Sequence, residues 1–141
     1  MKVRSSFIMA AIMAAALIVA AAAPVFAHHS FAAEFDVNKP TTLTGSVTKL
    51  DWINPHARIF IEVKGSDGKA TKWEIELGPP AILMRSGWTK NSVKAGDMVT
   101  VNGSLAKDGA NLANARSVTL ADGTKVFAGS SADNQTNQTN Q

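Results

Sequence analysis

An all-β barrel with one short helix is the fold this sequence predicts, on three observations. Most of the chain after residue 40 falls into short runs in which apolar and polar residues alternate, bounded by Gly, Pro, Asn and Asp. The first of these runs is long and shifts its apolar phase midway. A single helical segment stands between the third and fourth runs. Five to six strands in that order fit a small Greek-key barrel of the OB type, with a small β-sandwich as the alternative.

The chain opens with a segment that takes no part in this fold. Lys2 and Arg4 give residues 1–27 a positive start, and Phe7 to Ala23 is uncharged and rich in Ala, Ile, Met, Leu and Val. Val25 and Ala27 then set small residues at the −3 and −1 positions of an export cleavage site. A membrane anchor is the competing reading, because the apolar stretch is long for a signal. Its alanine content, Pro24 and the A-x-A-like end favour cleavage after Ala27, leaving no anchor and a periplasmic protein. The absence of cysteine excludes a lipid-anchored N-terminus of the lipobox kind.

Residues 28–40 read as an N-terminal arm carrying Phe31 and Phe35 and ended by Pro40. From Thr41 the strand pattern begins, with Leu43, Gly45 and Val47 alternating with threonine and serine. The apolar phase then moves to Leu50 and Trp52. A one-residue slip after Gly45 predicts a β-bulge or sharp bend. Asn54-Pro55 marks a turn.

The second strand, about Ala57–Lys64, turns Ile59, Ile61 and Val63 to one face. Ser66-Asp67-Gly68 is a hairpin turn. The third strand, about Ala70–Leu77, points Trp73, Ile75 and Leu77 inward and Lys72, Glu74 and Glu76 outward. Gly78-Pro79-Pro80 stops it, and Ala81–Arg85 is the helical segment, closed by Gly87. Strands at Met98–Leu105, about Asn111–Leu120 and Thr124–Ala128 complete a barrel domain over residues 41–128. From Gly129 the chain is a Ser/Asn/Gln/Thr tail that has too little apolar surface to fold, so residues 129–141 are expected to be disordered.

Removing residues 1–27 leaves 114 of the 141 residues, enough for one modest core. It also leaves 12 basic residues against 11 acidic ones. That near balance, with scattered lysines, argues against nucleic acid, which requires a basic patch. No cysteine means no disulfide, thiolate metal site or thiol nucleophile. Phosphate loops and dinucleotide fingerprints are missing, and no serine has a catalytic motif around it. Glu74 and Glu76 lie two apart on one strand face, which is ordinary for an outward face. The sequence therefore predicts no enzyme.

Three blocks stand out as motifs: Ala27-His28-His29-Ser30-Phe31, Trp52-x-Asn54-Pro55-His56, and Gly87-Trp88 ahead of Gly96-Asp97-x-Val99-x-Val101-x-Gly103. Together they resemble a family of small exported bacterial proteins that carries a domain-of-unknown-function label. The resemblance covers about Ala27–Gly129. It implies export and an OB-like barrel and no activity.

The candidate chemistry lies in the histidines. Cleavage after Ala27 gives His28 a free α-amine beside its own ring, with His29 next to it. With His56, these nitrogens form a donor set suited to Cu(II), and to Ni(II) second. An N-terminal His binding through amine and ring, joined by one distant His, resembles the histidine brace of copper proteins. His29 offers a competing mode through its backbone amide and ring. Amine and imidazole donors bind only after losing their protons, so metal affinity rises across neutral pH. Glu34 and Asp36 can add an axial oxygen or hydrogen bonds behind the ligands. The bland alternative is a solvated terminus, with His56 in a turn. A Cu(I) site built from His, Met and Trp lacks its Met-x-Met pair here.

Trp52, Trp73 and Trp88 read first as barrel core and rim. A barrel face near Trp52, Phe60 and Trp88 is the second functional candidate, meeting a small ligand or a periplasmic protein partner without any metal.

Overall fold

The computed structural model describes residues 31–130. The expected export segment and cleavage site, His28 and His29, and the tail from residue 131 lie outside those residues. Eight elements follow in order: α1 (Phe31–Glu34), β1 (Phe35–Asp51), β2 (Arg58–Lys64), β3 (Ala70–Glu76), α2 (Pro80–Arg85), β4 (Met98–Ala106), β5 (Leu112–Thr119) and β6 (Lys125–Phe127). Among the described residues no helix is long and apolar enough to cross a membrane.

The long first strand serves two neighbours. Its first part, up to Ser46, runs antiparallel to β4, and its last part, from Ser46, runs antiparallel to β2. The change of partner needs a bend. Gly45 permits it, because a Cβ there would stand 2.6 Å from the carbonyl oxygen of Glu62. The bulge follows at Thr48, where pairing steps from Val47↔Ile61 to Lys49↔Phe60. The Thr48 hydroxyl donates to the Phe60 carbonyl at 3.2 Å. This bulge is the phase slip of the sequence: Val47 is buried before it, and Leu50 and Trp52 pack on the core after it.

β2 and β3 form the expected hairpin, with Ile59↔Ile75 and Ile61↔Trp73 in register. β3 then pairs in parallel with β5 through Glu74↔Leu112, Ile75↔Ala113 and Glu76↔Asn114. That pairing closes the circuit β1-β2-β3-β5-β4-β1, and β6 adds to β5 outside it. A closed circuit of five strands with a helix between the third and fourth is the OB barrel. A two-sheet sandwich would lack the pairing between β3 and β5.

The interior is aliphatic: Ile59, Ile61, Ile75, Leu77, Val99, Val101 and Val118 are almost wholly buried. α2 closes one end. Pro80 at its first position lacks only an N–H that a helix start leaves unused. Its Leu83 enters the core with Trp88, which follows the turn at Gly87 (φ 90°). The Trp88 indole N–H donates to the Phe127 carbonyl at 2.9 Å, tying this end to β6.

The N-terminal region departs from expectation. A helical turn, α1, occupies Phe31–Glu34, and β1 starts at Phe35 instead of Thr41, so Pro40 lies within a strand. Strand β2 does not reach that half of β1, so one side of it is an edge. Proline's missing N–H costs no rung on such an edge. Phe31 and Phe35 stack at 5.5 Å and form a small second core with Ala106, packed on Leu112.

Candidate functional site

His56 sits in the connection between β1 and β2, directly after the cis Asn54-Pro55 bond. Its backbone neighbourhood is fixed by a continuation of the β2–β3 ladder. The Leu77 N–H donates to the Ala57 carbonyl at 2.9 Å, and the Ala57 N–H to the Gly78 carbonyl at 3.1 Å. The imidazole therefore stands over the end of β3, where its Nδ1 lies 3.3 Å from Oε2 of Glu76. The His56 side chain is 26% exposed and that of Glu76 only 8%.

Glu76 corrects the strand reading. Alternation does place it on the outer face of the barrel wall, opposite Ile75 and Leu77. That face is covered here. Ala113 and Ala115 fill the interior, so Asn114 between them turns to the outer side, beside Glu76 in the parallel pairing. The segment after β6 then lies across both. The Gly78 N–H donates to the Ala128 carbonyl at 2.8 Å, and a Cβ on Gly78 would be 2.4 Å from the Gly129 oxygen. Ser130 is delivered beneath this crossing.

The result is a buried polar chain. The Ser130 hydroxyl donates to Oδ1 of Asn114 at 2.6 Å. The Asn114 amide donates to Oε1 of Glu76 at 3.0 Å. Asn114 and Ser130 are 2% and 3% exposed. Gly129 and Ser130 are thus part of the packed molecule, although composition assigns them to the tail. Glu74, by contrast, behaves as an outward residue and pairs with Arg58 at 2.7 Å.

Of the sequence candidates, His56 is the one histidine that the described residues contain. His28 and His29 lie outside them. Glu34 is exposed, on a shallow cavity shared with Lys107 and Asp108. Asp36 is taken up locally: it accepts the Asn38 N–H at 2.9 Å and stands 4.0 Å from the Lys39 ammonium. The carboxylate behind His56 is Glu76 instead, which the alternation disguised as a surface residue. Among the described residues no group of three His, Asp or Glu side chains is placed to hold a metal ion.

The aromatic face is also redistributed. Trp88 is 1% exposed and belongs to the core, so it offers no surface. The Gly87 turn folds the indole under β6. Trp52 is half-buried against the core. Phe60 remains accessible with the Lys49 ammonium 5.5 Å from its ring centre. It lines a cavity of about 500 Å3 with Thr48, Lys49, Trp73, Glu74 and Asn111. Trp73, not Trp88, is its aromatic companion.

One carboxyl among the described residues is clearly displaced in its titration. Asp122 is held below its ordinary value of 3.8 by the backbone N–H and then the hydroxyl of Thr124. It is fully exposed in the turn before β6 and belongs to no site.

Residues 14–115 match the model of a family described as a family of unknown function (DUF6152). The matched span takes in His56, Glu76 and Asn114 and stops short of Ser130. No curated protein matches the chain.

Proposed function

The chain belongs to the DUF6152 family, a family of unknown function, and from that premise we propose that it is a small exported copper-binding protein, a carrier or buffer rather than an enzyme. Cleavage after Ala27 frees the amine of His28. That amine, the His28 or His29 ring and Nε2 of His56 are the nitrogen donors for Cu(II).

The observation that carries this reading is the placing of Glu76 behind His56. A ligating histidine characteristically gives its other ring nitrogen to a carboxylate, which fixes the ring and makes it a better donor. Oε2 of Glu76 stands 3.3 Å from Nδ1, so the nitrogen left for a ligand is Nε2. The arm ahead of Phe31 starts on the same side of the barrel wall. Leu112 lies two residues from Asn114 on the same face of β5, about 7 Å along the strand. The cluster of Phe31, Phe35 and Ala106 packs on Leu112. His29 and His28 precede Phe31 by two and three residues, which span up to about 7 and about 10 Å.

The test is a Cu(II) titration of protein beginning at His28, followed by EPR, beside a version with one extra N-terminal residue. Tight one-to-one binding with a nitrogen-rich signal is expected, weakened at least tenfold by the extension or by His56→Ala. Glu76→Gln should lower affinity by about 10–100-fold. Equal, weak binding by both versions removes the metal reading. The accessible cavity at Phe60 and Trp73 then favours the second one, a non-enzymatic interaction module that takes a small ligand or a protein partner.

A further inference from the structure

We infer that Asn114 and Ser130 are positioning residues for His56, acting through Glu76, so that the segment after β6 is a working part of the site. The inference rests on the copper reading for its use and on the apo protein for its test.

Every donor in the buried chain points the same way. The Asn114 amide nitrogen donates to Oε1 of Glu76, an orientation selected by the carboxylate as an acceptor. Its Oδ1 is thereby turned to the Ser130 hydroxyl, which donates to it. An ionised carboxylate only accepts. With Oε1 occupied, Oε2 is left facing Nδ1 of His56, and the favourable arrangement puts the neutral ring's proton on Nδ1. The lone pair then sits on Nε2, the nitrogen remote from Glu76.

Fold stability alone does not call for such a chain. Well-packed apolar side chains of similar volume serve a buried position as well or better. What a hydrogen-bonded polar chain supplies is one orientation of the group at its end. That end is the accessible imidazole. Ser130 is held to its task by backbone contacts: the Ala128 N–H donates to the Arg116 carbonyl at 2.9 Å and the Ala128 carbonyl accepts from Gly78 at 2.8 Å. The glycine crossing lets the two backbones meet closely, since a Cβ on Gly78 would stand 2.4 Å from the Gly129 oxygen.

The experiment is long-range 1H–15N NMR of the imidazoles in metal-free, full-length mature protein, in mildly alkaline buffer. His56 should carry its proton on Nδ1. Glu76→Gln should abolish that preference. Ser130→Ala should shift it measurably toward Nε2–H while circular dichroism and tryptophan fluorescence stay unchanged, which a merely structural role would not produce. Wild-type His56 protonated on Nε2, or a tautomer ratio untouched by Ser130→Ala, overturns the inference. If the tautomers behave as stated and the wild type binds no Cu(II), the metal reading fails and the positioning chain stands. If copper binds, Ser130→Ala should weaken it severalfold at unchanged stoichiometry.

Discussion

Glu76 departs from the surroundings that pattern alone suggests for it, while Trp88 keeps the core place read first for it and loses the surface role read second. Glu76 stands in an outward phase of β3 and is buried, because another strand's Asn114 and a distant segment cover that face. Strand alternation reports which side of a sheet a residue occupies. It carries no information about what lies on that side. Trp88 follows a glycine turn and is wholly enclosed, and its N–H is satisfied by the Phe127 carbonyl. Its size decides its role: a buried indole removes more apolar surface from water than any other residue of this core. Trp88→Ala should therefore destabilise the fold by about 3–5 kcal/mol, from lost burial and the cavity left behind. Urea denaturation checks this. A loss below about 1 kcal/mol would return Trp88 to the surface role. His56 is the site residue legible from the start, as a metal-type side chain in a turn. Its carboxylate partner was not legible, since Glu76 and its i−2 neighbour Glu74 look alike in sequence and differ only in what covers them.

At the scale of elements, β1 was the most legible and its beginning the least. The phase slip between Val47 and Leu50 could be read directly, because a bulge inserts one residue into a period of two. The stretch Phe35–Pro40 gave no such signal. Its pairing with β4 is irregular between Phe35↔Ala106 and Pro40↔Ser104, so no alternation survives there, and proline argued for a stop. α1 is a single turn, too short for a helical period to show. The bend itself depends on Gly45. Any side chain there meets the Glu62 carbonyl, which is backbone in a paired strand and has little freedom to yield. Gly45→Ala should cost about 1–3 kcal/mol through the forced separation of β1 and β2. It should lower the urea midpoint without changing the slope. An unchanged midpoint would mean that β1 turns from β4 to β2 by some other route.

For the whole molecule, the barrel is closed twice. The β3–β5 pairing closes the wall, and that much follows from strand order once the OB circuit is recognised. The second closure was hidden by composition. The chain's glycine, serine and polar residues after Phe127 resemble a solvated tail, but Ala128, Gly129 and Ser130 are buried against Gly78, Arg116 and Asn114. Backbone hydrogen bonds and a glycine-on-glycine crossing hold them, and neither leaves a hydrophobic signature. The two closures make different predictions for shortened chains. A chain ending at Ser130 keeps every hydrogen bond named above. A chain ending at Phe127 loses the Ala128 bonds to Gly78 and Arg116 and strips the cover from Glu76 and Asn114. Each of those hydrogen bonds is worth about 0.5–1.5 kcal/mol net. For a domain of this size each 1 kcal/mol lowers the melting temperature by about 4–8 °C. A drop of at least that size between the two truncations is therefore expected by calorimetry. Equal melting temperatures would show that the wall closure alone holds the barrel, and that the segment after β6 serves the His56 site without serving the fold.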